Sequence, residues 1–226
     1  NPKYDLNGDD VSSKVKILSS LCFNSKINNT IHVEGIKNID RNDIINANKL
    51  GYKIKLLGLA ELKHNKICQR VHPVLIKNKE YIAGINGVLN AVIIDGKPIG
   101  QSVLQGEGAG PGATTSALIS DLSSVLRGNI KYPFAISEKD RKKLKIELIN
   151  NSYFSSYIRL DVKDKYGVLS SITKIFSINK VSIKRAIQNP LKSKTTSSII
   201  IITHKCKNIN IIKTLNSLNK QHYLIK

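Results

Sequence analysis

Two acidic residues and one lysine near the start of the chain have types and spacing suited to acid–base chemistry. Asp10 and Lys14 are four residues apart, so a helix would place them on one face, and Asp5 precedes that helix on a loop. A lysine beside an aspartate can stay protonated and donate to a developing alkoxide, while a second carboxylate can hold a substrate ammonium. The alternative is an acidic first turn with a surface ion pair, which needs no ligand.

A glycine-rich segment, residues 106–112, is the second candidate for ligand binding. Closely spaced glycines let the backbone approach a flat or charged ligand, and the N-terminus of a following helix favours negative charge. The segment is not a typical dinucleotide fingerprint, because no strand–helix–strand unit with an acidic residue about 20 positions later surrounds it. A tight turn between a strand and a helix explains the glycines equally well.

Histidine and cysteine spacing indicates no metal site. The five His residues show neither HxxxH nor HExxH spacing, and the three Cys residues stand far apart without a CxxC pair. We therefore expect free thiols in a reducing compartment, with neither a disulfide framework nor bound zinc.

Composition excludes several classes of protein. The chain has 226 residues, 41% of them hydrophobic, and its apolar runs are shorter than the roughly 20 residues that cross a membrane. The net charge of +20 is mostly lysine, since only six of the 36 basic residues are arginine, the residue best suited to reading bases and phosphates. We interpret this charge as a solvated surface and expect no nucleic-acid partner. The chain begins with Asn and contains no Met, so we expect it to be part of a longer protein.

The first half of the chain must fold into the elements that position these residues. Apolar residues at helical spacing predict a helix over residues 9–23, with Asp9 or Asp10 able to cap its start. The Asp95-Gly96 pair predicts a hairpin between two short strands. The remaining predicted elements are strands at 31–36, 52–62 and 69–76 and helices at 41–50 and 114–126, which together indicate an α+β fold.

The second half follows the order of a ferredoxin-like βαββαβ module. A polar stretch over residues 129–151 is the best candidate linker. Beyond it the pattern predicts strands at 156–162, 181–187 and 197–203, helices at 169–178 and 209–218, and a possible last strand at 222–225.

The motifs of the first half resemble the homoserine dehydrogenase family. The segment Asp5-Leu6-Asn7-Gly8-Asp9-Asp10-Val11-Ser12-Ser13-Lys14 is similar to the family's catalytic-helix motif. Further motifs follow in the family's order over residues 1 to about 128: Glu34-Gly35-Ile36, residues 50–57, His72-Pro73, Asn90-Ala91-Val92, Gly108-Ala109-Gly110, Thr114 or Thr115, and Asp121.

This resemblance implies reversible hydride transfer between NAD(P)H and L-aspartate 4-semialdehyde, giving L-homoserine. By the same resemblance Lys14 is the proton donor, Asp10 orients Lys14 and contacts substrate, and Asp5 helps to bind the substrate amino group. Gly108 and Gly110 would lie at the nicotinamide side of NAD or NADP. The family's Rossmann domain is expected upstream, so we expect residues 1–226 to be inactive by themselves.

The segment Arg159-Leu160-Asp161-Val162-Lys163-Asp164-Lys165-Tyr166-Gly167 resembles the start of an ACT domain, with Tyr166 where that family usually has Pro. The resemblance implies amino-acid feedback, with threonine as the expected effector and Asp164 and Gly167 as its contacts. A plain turn is the alternative for these two residues.

Taken together, we expect a homoserine dehydrogenase catalytic domain over residues 1–130, a linker over 131–152 and an ACT domain over 153–226. The expected protein is a cytoplasmic homo-oligomer, dimer or tetramer, of threonine, methionine and isoleucine biosynthesis, with no membrane partner. The competing hypothesis is a ligand-binding regulatory or assembly module without catalysis.

Overall fold

The computed structural model describes residues 3–190 and 195–225, and its helices and sheets confirm the α+β class. The chain divides into two compact units: residues 1–62 with 69–144 form the larger one, and residues 63–68 with 145–226 form the smaller one. Among the described helices, none has the length and apolar character required to cross a bilayer.

The sheet beneath the candidate catalytic segment contains β1 (His32–Val33), β2 (Tyr52–Lys63) and β3 (Lys66–Lys77), with β3 in the middle. β1 runs parallel to β3. The two residues between β2 and β3, His64 and Asn65, both have positive φ, as a tight hairpin turn requires. The two strands predicted at 52–62 and 69–76 are therefore confirmed.

Residues 3–50 contain three helices: α1 (Lys3–Asn7), α2 (Asp9–Cys22) and α3 (Arg41–Lys49). The structure confirms the two helices predicted at 9–23 and 41–50. Asp40 caps α3 through a capping box, in which its carboxylate accepts from the Asp43 amide and the Asp43 carboxylate accepts from the Asp40 amide.

Two predictions about the helix start were wrong. The N-cap of α2 is Gly8, with φ of 85°, and its two acidic residues lie inside the first turn, so neither Asp9 nor Asp10 caps it. Asp5 lies on the short helix α1 and not on a loop. A left-handed glycine between α1 and α2 lets the chain change direction within one residue.

The strand predicted at 31–36 was also too long, since β1 contains His32 and Val33 alone. Beyond Val33 the chain turns toward α1, because the Ile36 amide donates to the Leu6 carbonyl at 2.9 Å. Gly35 permits this approach, since a Cβ there would lie 2.2 Å from the same carbonyl oxygen.

The predicted hairpin is confirmed as β4 (Leu89–Gly96) paired antiparallel with β5 (Gly100–Glu107). Its turn was predicted too early: Asp95 and Gly96 pair with Gln101 and Gly100 as the last residues of β4, and the turn consists of residues 97–99. Because β5 continues through Glu107, the predicted glycine loop shortens to residues 108–110. The next helix, α4 (Pro111–Leu126), begins three residues earlier than predicted, with proline at its first position, where no backbone donor is lost.

Helix α4 buries none of its residues. Its apolar side chains are more than half exposed, at Leu118, Ile119, Leu122, Val125 and Leu126. An apolar helix of 16 residues without a buried side chain leaves one continuous patch uncovered in this chain.

The smaller unit has the predicted ferredoxin-like order. Its main sheet has β10 (Thr196–Thr203) in the middle, antiparallel to both β8 (Tyr157–Lys163) and β9 (Ile183–Pro190). Along the chain, helix α5 (Val168–Ile178) connects β8 to β9, and helix α6 (Asn208–Leu218) follows β10. Shorter strands complete the unit: β6 (Lys145–Ile146), β7 (Tyr153–Phe154) and β11 (Cys206–Lys207).

One apolar core joins this sheet to α5 and α6. Alternate residues of β8 point into it, as the two-residue period of a strand requires. Its members include Ile158, Leu160, Val162, Ile172, Phe176, Ile199, Ile201, Ile211 and Leu218.

The strand predicted at 222–225 is reduced to a single bridge between Leu224 and Val162. Two backbone hydrogen bonds flank it, from Lys163 N to Tyr223 O at 2.9 Å and from Ile225 N to Asp161 O at 2.7 Å. Residues 223–225 therefore lie beside β8, where the fourth strand of a ferredoxin-like sheet belongs.

The segment predicted as a linker contains local structure. It includes two short 3₁₀ turns, Glu138–Asp140 and Ile149–Asn151, and the strand β6, which pairs in parallel with Lys66 and Ile67 of the same unit. The domain boundaries at 130 and 152 stay a prediction.

Candidate active site

Helix α2 carries the candidate catalytic pair on the side away from its buried face. The buried residues are Ser12, Val15 and Ser19, whose spacing of three and four keeps them on one side of the helix, and the neighbouring Ser20. Asp10 and Lys14 lie on a different side and remain partly exposed.

The Lys14 Nζ atom lies 2.7 Å from Asp10 Oδ2. The side chains are 55% and 37% exposed, so this i,i+4 ion pair contributes at most about 1 kcal/mol to stability. The pair is thus open to a ligand and is not needed to hold the fold. Asp10 accepts from the ammonium group and so orients it.

Asp5 is placed one short helix earlier. Its backbone carbonyl accepts from the Gly8 amide at 3.1 Å, which ties α1 to the start of α2, and its side chain is exposed. A Cβ on Gly8 would lie 3.1 Å from Val71 Cγ1 and 3.3 Å from Val33 Cγ1, so the turn rests directly on the sheet. The structure brings Asp10 and Lys14 into contact and places Asp5 on the adjoining helix.

The far end of α2 is held by polar side chains that sequence reasoning missed. Arg141 donates from Nε to the Ser25 carbonyl at 3.0 Å and from Nη2 to the same carbonyl at 2.6 Å, and it also donates to Ser20 Oγ. Gln69 Nε2 donates to Ser19 Oγ. The available signal was a pair of adjacent serines on the apolar face of a helix, which must find partners when buried.

Arg141 is fixed in turn by an aromatic ring and by the backbone beside it. Its guanidinium carbon lies 4.2 Å from the centroid of the Phe134 ring, a cation–π contact. The next residue, Lys142, pairs in parallel with Ser25 through backbone hydrogen bonds of 2.9 and 3.0 Å to the residues on either side of Ser25. The end of α2 is therefore held by several polar contacts at once.

The glycines of residues 108–112 differ in how closely other atoms approach them. A Cβ on Gly108 would lie 1.6 Å from Asn90 Nδ2, and the Gly108 amide donates to Val88 O at 2.9 Å, so packing alone accounts for this glycine. A Cβ on Gly110 or Gly112 would meet no atom within 4 Å. The backbone at these two positions is uncovered, which suits a flat ring such as nicotinamide, while Gly110 also serves as the N-cap of α4.

His72 is a half-buried histidine on strand β3. Burial is the main cause that lowers the pKa of its imidazole, and nearby Arg70 and His32 lower it further, whereas its hydrogen bond to Pro73 O and the carboxylate of Glu34 raise it. Nδ1 lies 3.0 Å from Pro73 O, which can only accept, so Nδ1 carries the proton. Among the described residues no cluster of three or more His, Cys, Asp or Glu side chains could hold a metal ion.

The smaller unit contains a cavity of about 120 Å³ at the start of α5. Both predicted effector contacts, Asp164 and Gly167, line it, together with Gln188 and Ser197. Gln188 Nε2 donates to Asp164 Oδ1 at 3.3 Å and to Ser197 Oγ at 3.1 Å. Gly167 has φ of 82° and is the N-cap of α5. Gln188 and Ser197 were not among the predicted effector contacts, because they come from two other strands.

Comparison with known proteins assigns each half of the chain. The family model for homoserine dehydrogenase matches residues 1–123, and the model for the ACT domain matches residues 156–222. The chain belongs to the homoserine dehydrogenase family. This match confirms the resemblance between the first half of the sequence and the homoserine dehydrogenase family. The matched region includes both Asp10 and Lys14.

Homoserine dehydrogenases of several bacteria are similar along almost the whole chain. The one from Neisseria gonorrhoeae is 33% identical over 90% of this chain and 48% of its own length. The one from Helicobacter pylori is 32% identical over 96% of this chain and 52% of its own length. The crystal structure of a homoserine dehydrogenase from Thiobacillus denitrificans matches with a TM-score of 0.89 at 31% identity, covering 100% of this chain and 53% of that one. The chain thus spans about half the length of these relatives in the homoserine dehydrogenase family.

Proposed function

We propose that this chain supplies the substrate-binding, proton-donating and regulatory parts of an enzyme that reversibly reduces L-aspartate 4-semialdehyde to L-homoserine with NADPH or NADH. The Asp10–Lys14 ion pair, exposed on a helix within the homoserine dehydrogenase match, carries this proposal. The reaction belongs to threonine, methionine and isoleucine biosynthesis, and we place the protein in the cytoplasm as a homo-oligomer.

Lys14 acts as the general acid. Reduction of an aldehyde adds a hydride to carbon and leaves negative charge on oxygen, and the reduced nicotinamide supplies that hydride when bound. The Lys14 ammonium stabilises the developing alkoxide and gives it a proton, which yields the alcohol. Asp10, 2.7 Å from Nζ, accepts from the ammonium group and fixes its direction.

The carboxylates bind the amino group of the substrate. Asp5 and Asp10 lie on adjoining helices, and both are accessible to a ligand. Charge-assisted hydrogen bonds from an ammonium to a carboxylate are about twice as strong as neutral ones, so this contact orients the substrate as well as binding it. Gly108 and Gly110 would hold the nicotinamide end of the cofactor.

Replacement of Lys14 tests the catalytic assignment. In the protein expressed from its full coding sequence, Lys14→Ala should lower kcat for aspartate semialdehyde reduction by about 10²- to 10⁴-fold, the usual contribution of a positioned general acid. Lys16→Ala, on the same helix, is the matched control and should keep its kcat. A nearly unchanged kcat in folded Lys14→Ala would refute the role of Lys14. A wild-type protein without this activity would favour the regulatory module instead.

The cavity at the start of α5 supports feedback by an amino acid, for which threonine is the first candidate. Asp164 and the amide of Gln188 can together recognise an ammonium and a carboxylate. Asp164→Ala should weaken inhibition by threonine without changing kcat in its absence. If threonine neither binds to nor inhibits the wild-type enzyme, this effector is wrong, whereas the catalytic assignment stands.

A further inference from the structure

One contact between α2 and the sheet leaves no room for even a methyl group. Gly58 lies in the middle of β2. A Cβ built on it would lie 2.2 Å from Val15 Cγ2 and 2.9 Å from Val11 Cγ1. Carbon atoms in ordinary contact are about 3.5–4.0 Å apart, so a side chain at this position would force the helix and the strand apart by about 1.5 Å.

The lack of space beneath α2, and not the backbone conformation, requires glycine at position 58. Gly8 and Gly51 have φ of 85° and 82°, a region that favours glycine whatever surrounds it. Gly58 is absent from the residues with positive φ, and it sits in a regular strand, where alanine has no conformational penalty. The remaining reason for a glycine is the close approach of α2.

This contact lies next to the candidate catalytic pair along the helix. Val11 directly follows Asp10, and Val15 directly follows Lys14. The two valines are four residues apart, and so are Asp10 and Lys14, so the same helical turn carries both pairs. The depth and rotation of that turn are fixed where Val15, 8% exposed, meets Gly58.

We propose that Gly58 is a positioning residue for the Asp10–Lys14 pair. By admitting Val15 against the backbone of β2, Gly58 sets how far the Lys14 ammonium stands from the substrate oxygen. The inference rests on the proposed role of Lys14. A displacement of about 1 Å can lower the rate of a positioned reaction about 10²-fold, and a methyl group at Gly58 requires a displacement of this size.

The test is Gly58→Ala in the protein expressed from its full coding sequence. We expect kcat for aspartate semialdehyde reduction to fall about 10- to 100-fold, while KM for the nicotinamide cofactor stays near its wild-type value. The primary isotope effect with deuterated cofactor should increase, because the chemical step becomes slower than product release. A variant that had only lost stability would instead show fewer active molecules with an unchanged isotope effect.

A second substitution should remove most of the displacement of the helix. Val15→Ala removes the Cγ2 atom at 2.2 Å, the closer of the two clashes, and leaves Val15 Cβ at 3.7 Å, an ordinary contact, whereas the contact of 2.9 Å with Val11 Cγ1 remains. The double variant Gly58→Ala/Val15→Ala should therefore recover part of kcat. It also keeps the test decisive if Gly58→Ala itself folds poorly. Gly84→Ala is the matched control, because a Cβ there meets no atom within 4 Å and φ is not positive.

The outcomes separate this role from the proposed function. An active wild type whose folded Gly58→Ala variant keeps its kcat would overturn the positioning role alone. A double variant that is folded but gains nothing over the single one would overturn it as well. A wild type without dehydrogenase activity would remove the proposed function and this inference with it.

Discussion

The two units of the molecule place their apolar residues differently. In the smaller unit, strands and helices share one core that includes Phe176, Ile172 and Ile201, all fully buried. In the larger unit, the described apolar side chains that are buried form a short set: Val15, Ala47, Val71, Ile76 and Ala83. Many of its other apolar side chains, including those of α4, are exposed.

This difference shows two ways to hold a site. The cavity of the smaller unit lies on a packed core, so its shape follows from the burial of many side chains. The candidate catalytic helix is held mainly by specific contacts: Gly58 beneath Val15, and Arg141 and Gln69 at its far end. Such a site depends on a few residues, each of which can be tested.

The largest expected effect on stability is in the core of the smaller unit. Phe176→Ala should lower the free energy of unfolding of that unit by about 3–5 kcal/mol, because it removes a fully buried aromatic ring and leaves a cavity. Thermal unfolding followed by circular dichroism measures it. Ile178→Ala, 69% exposed on the same helix, should change stability by less than about 0.5 kcal/mol. Equal losses in the two variants would contradict the packed core of the smaller unit, on which the contrast between the units rests.

A smaller loss is expected where α2 ends in the larger unit. Arg141→Met should destabilise that unit by about 1–3 kcal/mol, since it leaves the buried Ser25 carbonyl and Ser20 hydroxyl with fewer donors. Chemical unfolding with urea gives the value. Lys143→Met removes an exposed charge two residues later and serves as the control. If both variants unfold at the same urea concentration as the wild type, the polar contacts do not hold the helix end.

The smallest effect concerns pH. Because burial lowers the pKa of His72, the unfolded chain takes up a proton near pH 6.5 that the folded larger unit does not. Stability should therefore fall as pH drops below about 6.5 and should be unaffected by this group above it. The Tm of His72→Asn should depend less on pH between 7.5 and 5.5, whereas His64→Asn, in an exposed turn, should behave like the wild type. A wild-type Tm that rises on acidification in this range would contradict the sign.

Local sequence patterns predicted most elements of the fold. Helical spacing located α2, α3, α5 and α6, and the Asp95-Gly96 pair located the hairpin of β4 and β5. The errors occurred where a contact between distant segments determines how far a strand extends. Of residues 31–36, two form a strand, because the Ile36 amide donates a hydrogen bond to the Leu6 carbonyl of α1. The strand predicted at 222–225 is a single bridge between Leu224 and Val162.

The sequence predicted the reacting groups of the candidate site, but it did not predict the residues that hold helix α2 in place. Asp10 and Lys14 are detectable because helical spacing alone brings them together. Gly58, Arg141 and Gln69 lie 44 or more positions from the pair along the chain, and nothing local marks them as its supports. Contacts between distant segments depend on how the helix packs on the sheet, which a residue pattern does not specify.

The uncovered face of α4 has a consequence for handling the 226-residue chain. Its net charge of +20 makes molecules repel one another at low ionic strength, which keeps their α4 faces apart. Salt shortens the range of this repulsion from about 10 Å at 0.1 M to about 3 Å at 1 M, and it leaves the attraction between apolar surfaces intact. Solutions of this chain should therefore become turbid as salt is raised, the reverse of ordinary salting-in.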